Sequence, residues 1–256
     1  MQPNTKEQTE KFLESHRPIS LEEMQHVALM DRVDTKFVGA SDLLPDILAE
    51  LESNYKVLEI EGDRVFLYYT HYYDTKAYGM YEAHQNGKLN RYKVRKREYV
   101  SSGLRFLEVK FKNNKRRTIK KRVERQQNEA LTAAELIFLD ENTPFNGHEL
   151  EHKLSNSFYR ITMVGAEERV TIDFGLSFKD ANGFSMDFDD IVVIELKQLK
   201  FCPTTRAMNI LRKFKIKSQS FSKYCLGAAS LNTHIKANRM KQKFELIERI
   251  KAEIEG

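Results

Sequence analysis

Apolar residues along this chain change their period several times, and each change marks a switch between helix and strand. Leu43, Leu44, Ile47, Leu48 and Leu51 recur at helical spacing, so a helix is expected from Ser41 to Leu51, with Pro45 tolerable in its first turn. Before it, a helical region spans Lys6 to His26, broken near Arg17 and Pro18. Ser20 restarts it, with Glu23 at capping-box spacing. Asp31 to Val38 reads as a strand between the two.

From Tyr55 to Phe111 the period falls to two, and aromatic and β-branched runs predict strands over Val65 to Tyr73, Leu89 to Tyr99 and Leu104 to Lys112. A short helix over Tyr78 to His84, ended by Asn86 and Gly87, joins two of them. Thr132 and Glu135 open a capped helix to Leu139. Strands return at Phe158 to Gly165, Arg169 to Phe174 and Phe188 to Gln198, with a hairpin turn at Gly165. Helices follow over Thr204 to Phe214, led by Pro203, then Phe221 to Leu231 and Ile235 to Ile254. In the last, Met240, Phe244, Ile247, Ile250 and Ile254 form a stripe that packs on the domain or makes a dimer seam. With no repeat and no linker, one domain over residues 1–256 is expected, its core spanning about 31–227.

The strands share one design. Lys93, Arg95 and Arg97 alternate with Val94 and Lys96, and alternation sends those three cations to one face. Glu108, Lys110 and Lys112 stand opposite Leu107, Val109 and Phe111. Arg169, Thr171 and Asp173 oppose Val170, Ile172 and Phe174, and Glu195 and Lys197 oppose Ile194 and Leu196. A solvated antiparallel sheet accounts for one charged face. Repeated cations at successive same-face positions repel unless an anion lies among them. Helices are numerous enough to cover the apolar faces from outside, which predicts an α+β fold with a charged barrel interior.

Composition enters here because it hides that arrangement. The chain has 256 residues, with 42 Lys and Arg against 37 Asp and Glu, a net charge of only +5. Its 41% hydrophobic content excludes a disordered chain. No stretch approaches the about 20 apolar residues of a membrane helix, and Met1 to Ser15 lacks the apolar core of a signal peptide, so a cytoplasmic protein is expected. Cys202 and Cys225 have no metal-type spacing and read as small buried residues. There is no GxxxxGK[ST] loop. A face of Lys and Arg with a few carboxylates suits a polyanion accompanied by Mg or Mn.

At this point the residues resemble the VTC domain, the catalytic module of vacuolar transporter chaperone polyphosphate polymerase, within the triphosphate tunnel metalloenzyme superfamily. The resemblance runs from about Asp31 to Gly227. It is carried by Asp34-Thr35-Lys36-Phe37-Val38, Tyr72-Tyr73-Asp74-Thr75 and His84-Gln85-Asn86-Gly87 leading to Lys93-Val94-Arg95-Lys96-Arg97-Glu98-Tyr99. Glu108-Val109-Lys110-Phe111-Lys112, Lys120-Lys121-Arg122, Asn156-Ser157-Phe158-Tyr159-Arg160 and Arg169-Val170-Thr171-Ile172-Asp173 follow, then Ile194-Glu195-Leu196-Lys197 and Phe221-Ser222-Lys223-Tyr224. It implies an antiparallel β-barrel tunnel that transfers phosphoryl groups from a nucleoside triphosphate to phosphate or inorganic polyphosphate. Carried over, Arg95, Arg97, Lys110, Arg160 and Arg169 take catalytic roles, Lys36, Lys93, Lys121, Ser222 and Lys223 bind substrate, and Glu195 holds Mn or Mg. Any of Lys120, Lys121 or Arg122 could supply the inward group of its strand, and Lys112 and Lys197 are second choices. The superfamily's N-terminal ExExK pattern is absent, Asp34 and Lys36 standing on a comparable strand, so a metal leans on Glu195 with Glu108 or Asp173.

Other readings remain open. The same tunnel with water as acceptor is a triphosphatase. A non-catalytic polyphosphate or RNA-binding module would use the basic run from Lys112 to Arg125, with RNA the weaker partner. His148-Glu149-Leu150-Glu151-His152 is a literal HExxH, but Asn146 and Gly147 suggest a loop or helix end, which leaves two surface histidines. His71, His84 and Asp187 to Asp190 carry no assigned role, and Tyr68, Tyr69, Tyr72 and Tyr73 read as packing. Oligomeric state, nucleotide preference and any membrane partner stay open.

Overall fold

The computed structural model describes residues 6–26, 32–115, 117–126 and 130–256. Asp31 and Arg116, which belong to the expected first strand and the basic run, lie outside them. The elements are α1 (Lys6–Leu13), β1 (Pro18–Ile19), α2 (Leu21–His26), β2 (Val33–Ala40), α3 (Leu44–Leu51), β3 (Lys56–Leu58), β4 (Phe66–Thr75) and α4 (Gly79–Gln85). They continue with β5 (Arg91–Tyr99), β6 (Leu104–Lys112), β7 (Thr118–Glu124), α5 (Ala133–Asn142), β8 (Leu150–Val164), β9 (Glu168–Asp180), β10 (Ser185–Phe188) and β11 (Ile191–Gln198). Three helices close the chain, α6 (Arg206–Lys213), α7 (Lys223–Leu231) and α8 (Lys241–Glu255).

Local chemistry explains several boundaries. Ser20 and Glu23 exchange the two bonds of a capping box at 2.9 and 3.1 Å, which starts α2 after the break at Pro18. Thr132 and Glu135 do the same for α5. The expected Ser41 cap is replaced by a 3-10 turn over Ser41–Leu43 without a side-chain cap bond, and α3 begins at Leu44 with Pro45 in its first turn. Pro203 likewise precedes α6 rather than opening it, since that helix starts at Arg206.

The main strands form one antiparallel ladder in the order β2-β11-β9-β8-β4-β5-β6-β7. Among the described residues β2 and β7 are not paired with each other, so the barrel is a rolled sheet with an unlaced seam. It is nonetheless curled: Lys110 on β6 feels the charge of Glu195 on β11, and Lys93 on β5 feels that of Lys36 on β2. A bulge between Ser157 and Tyr159, with Gly175 at a φ of 58°, adds local bend where β8 meets β9.

Both faces are covered in the way that the alternation predicts. On the convex side, Phe37, Ile172, Ile194 and Leu196 pack with Leu44, Ile47 and Leu48 of α3 and Ile210 and Leu211 of α6. Val94, Leu107 and Val109 pack beneath Leu139 of α5. The concave face is polar over most of its length, but at one end Val38, Val193, Leu154 and Phe158 meet Tyr224, Leu226 and Ala228 of α7 and Ile247 and Ile250 of α8. These two helices therefore plug that end only in part, since Lys93, Lys110 and Lys112 there stay half-buried, and the stripe on the last helix is used within the chain.

The plug fits closely at Gly227, where an added Cβ would lie 2.3 Å from Cδ1 of the fully buried Phe178. Replacing a mid-helix glycine by alanine ordinarily stabilises by about 0.5–1 kcal/mol. Here overpacking reverses the sign, and Gly227→Ala should lower stability by about 1–3 kcal/mol in denaturant titrations; unchanged or raised stability would mean that α7 is not seated against Phe178.

Candidate functional site

The concave face can be followed strand by strand from the ladder register. Lys36 stands opposite Glu195, which stands opposite Thr171. Arg160 faces Asp173, and Arg97 lies between Thr70 and Phe106. Arg95 faces Glu108, which faces Arg122, and Lys93 faces Lys110, which faces Lys120. Alternation along each strand then puts all of these groups on one surface.

Three carboxylates organise it, each held between two cations. Glu108 receives Arg95 at 2.7 Å and also Lys120. Asp173 takes a two-pronged bond from Arg160, at 2.5 and 2.7 Å, and a further one from Lys223. Glu195 accepts Lys36 at 2.8 Å and pairs with Lys197 at 3.0 Å. Burial alone would raise all three acids, but Arg95, Arg97 and Lys120 hold Glu108 below the usual carboxylate range. Arg160 and Lys223 do the same to Asp173, and Lys197 and Lys36 to Glu195. All three are therefore ionised at neutral pH.

Among the described residues, Lys93, Arg97 and Arg122 meet neutral groups. Lys93 donates to Ser222 Oγ at 2.9 Å, Arg97 donates to Thr70 Oγ1 at 3.2 Å, and Arg122 lies 4.2 Å over the Phe106 ring. Burial pushes Lys93 and Lys223 down to about 8. Arg95, and then burial and Arg97, hold Lys110 well below the ordinary lysine value. Such depressed ammonium groups are what a face crowded with like charge and short of water produces.

Of the residues predicted from sequence, Lys36, Lys93, Arg95, Arg97, Lys110, Arg160, Arg169, Glu195, Ser222 and Lys223 all lie on this concave face or on the α7 cap that enters it. Arg169 sits toward the unplugged end, opposite Lys197 and bonded to the Met24 carbonyl at 3.4 Å. Lys121 is the correction. It pairs with Val109, on the convex face that α5 covers, because the register sends Lys120 and Arg122 inward instead. Counting residues from Glu108 through the turn at Asn113 would have found this only with the turn length known.

His148 lies in a 3-10 turn, Gly147–Glu149, while His152 is already in β8, so the HExxH residues do not share a helix face. His152 Nε2 instead lies 3.0 Å from Ser155 Oγ, which also meets His71 Nδ1 at 2.8 Å on the convex side. Burial, then Lys93 and Arg91, push His84 down to about 3.

No group of three or more His, Cys, Asp or Glu that could hold a metal occurs among the described residues. Glu195 is a single carboxylate between two ammonium groups, and Glu108 and Asp173 each hold their own cation pairs. The described residues alone therefore do not assemble a cation site, and a divalent metal would need the substrate's phosphate oxygens to complete its shell.

An antiparallel barrel with helices outside and a basic channel inside is a triphosphate tunnel fold. The chain belongs to the VTC domain family, whose model matches residues 31–232. The fold is shared with a candidate adenylate cyclase from Bacillus halodurans at 13% identity and a TM-score of 0.50, covering 75% of this chain and 96% of that one. Two further structures align more loosely. One, from Vibrio parahaemolyticus and also described as a candidate adenylate cyclase, has a TM-score of 0.46 at 15% identity, covering 76% and 97%. The other, a candidate adenylyl cyclase from Hippeastrum described as having a dominant triphosphatase activity, has 0.45 at 14%, covering 78% and 96%. No curated protein sequence matches the chain. No described helix is long and apolar enough to cross a membrane.

A polyanion in the channel favours the charged form of each depressed lysine, so binding must draw protons onto Lys93, Lys110 and Lys223. Affinity for inorganic tripolyphosphate should fall as pH rises from about 8, where Lys93 and Lys223 lose their charge in the free protein. Calorimetry at pH 8 in two buffers of different ionisation enthalpy should report net proton uptake. Zero uptake would mean that these lysines stay outside the anion's reach.

Proposed function

We propose that this protein transfers phosphoryl groups from a nucleoside triphosphate to phosphate or polyphosphate within the channel. The observation that carries the reading is the row Lys93, Lys110 and Lys120, three lysines in register on adjacent strands, with Lys93 drawn to Ser222 and Lys120 to Glu108. Like charges so placed are destabilising. The row spans about 10 Å, two interstrand spacings of about 4.8 Å. That exceeds the reach of one phosphate and suits a chain of linked anionic groups.

Phosphoryl transfer needs donor and acceptor held in line and the spread charge of the transferring group neutralised. Arg95, Arg97, Arg160 and Arg169 offer forked donors to phosphate oxygens, and Lys36, Lys110 and Lys223 act as point charges. Ser222 positions Lys93 by accepting its hydrogen bond. Glu195 would hold a divalent cation, Mn or Mg, which would supply additional charge neutralisation when bound. Glu108 and Asp173 keep Arg95 and Arg160 aimed into the channel.

Incubation with ATP and Mn or Mg, followed by gel analysis of the products, tests the reading. Long chains are expected. Orthophosphate alone would make the same tunnel a triphosphatase with water as acceptor, and no turnover in either metal would remove the enzymatic reading. Arg95→Ala and Glu195→Ala should each abolish turnover in protein that remains folded, and full activity in both would overturn the site.

Lys110→Ala separates binding from stability. Loss of a charge-assisted bond to phosphate should cost about 1.5–3 kcal/mol of binding. Removing the repulsion should at the same time raise the thermal midpoint. A variant that binds tripolyphosphate normally, or melts lower, would contradict the assignment.

A further inference from the structure

One step along the strands beyond Arg97, toward the unplugged end, the concave face changes from cations to rings. Tyr68 pairs with Tyr99, and Tyr99 with Leu104, in the row that follows Thr70, Arg97 and Phe106. Tyr68 is already fully engaged: its ring stacks on Phe158 at 5.3 Å and 15°, and the Arg160 and Arg97 guanidinium groups lie 5.0 and 5.5 Å from its centroid. Tyr99 differs. It meets Tyr68 at 60° and Phe106 at 89°, so neither neighbouring ring lies parallel to it, and it is half-buried beside the exposed Val100 and Leu104. Next to it the Arg122 guanidinium covers Phe106 at 4.2 Å, a second flat cationic surface.

We propose that Tyr99, flanked by the Phe106 and Arg122 stack and backed by Tyr68, is a nucleobase platform at the open mouth of the channel. The proposal rests on the tunnel reading and adds an orientation to it. A same-face step along a strand is about 6.7 Å, so phosphates held by Arg97 and Arg160 leave the ribose and base at the Tyr99 row. The terminal phosphate then points toward Lys93, Lys110 and Lys223 at the α7 end, where the depressed lysines gather. A ring face stacks on any base, so the platform distinguishes a nucleoside triphosphate from bare triphosphate without selecting one base strongly.

The test compares ATP with inorganic tripolyphosphate in wild-type protein, Tyr99→Ala and Tyr99→Phe, by calorimetry with Mg present. Tyr99→Ala should weaken ATP about tenfold and leave tripolyphosphate unchanged, while Tyr99→Phe binds both like the wild type. Should the alanine variant fail to fold, Tyr99→Leu keeps the bulk without the ring and is expected to give the same split. Equal loss for both ligands, or no loss for ATP, overturns the platform and leaves the tunnel reading standing. Failure of wild-type protein to bind either ligand overturns the tunnel reading itself.

Discussion

Everything in this structure follows from placing like charges opposite one another on a concave surface and then holding that surface shut. Arg95 and Arg97 depress Lys110 on the neighbouring strand, and Arg95 opposes Arg97 along its own. The channel face cannot supply its own cohesion, so the cohesion comes from elsewhere. Convex residues such as Phe37, Ile172, Ile194 and Leu107 are essentially removed from water beneath α3, α6 and α5. Burying each such side chain contributes about 1.5–3 kcal/mol. Glu108, Asp173 and Glu195 lower the internal repulsion without cancelling it. Buried ion pairs of this kind contribute little net stability but are costly to break, which makes them better suited to aiming arginines than to holding the barrel.

Helix α7 links the plug to the charge system. Ser222 caps it by accepting from Cys225 N, and the same hydroxyl accepts from Lys93. Lys223 turns back to Asp173, and Tyr224 donates to the buried Asp74. Asp74 also accepts from the amides of Thr75, Met80 and Tyr81, so one carboxylate fixes the start of α4 and the seat of α7 together. Three consecutive residues, Ser222 to Tyr224, thus do structural and electrostatic work in turn, and a shift of α7 would move Lys223 off its carboxylate.

Much of this was legible in the sequence because strands broadcast their faces at a period of two. The expected strand over Leu104 to Lys112 is β6 as observed, and the cations of β5 face the way their alternation implied. Reading failed where a second geometric fact was needed. Lys121 was placed inward because Lys120-Lys121-Arg122 is basic at every position, and only the pairing with Val109 reveals its face. The start of β8 was missed: Leu150 to Ser157 carries polar residues on both faces, with Asn156 inward and Ser155 bonded to His71 outward, so its alternation is blurred. The short strands β1 and β10 are too brief to show a period at all. Ring contacts at Tyr68 and Tyr99 were likewise hidden, since four tyrosines in one strand read equally well as core.

The burial of the cations decides what kind of polyanion suits them. Arg95 and Arg97 retain 9% and 7% of their exposure, so a ligand must reach into the channel. A nucleic-acid strand bears a sugar and a base at every phosphate, and only its edge could touch such groups. A chain of directly linked phosphates has no side groups and can lie along the channel, meeting Arg97, Arg95 and the Lys93 row in turn. Lys121, on the outer face of β7 opposite Val109, offers the opposite environment, in solvent. Depth therefore separates the two anions more sharply than the amount of charge does, and it is on the inward-facing half of the basic residues that the proposed polyphosphate reading rests.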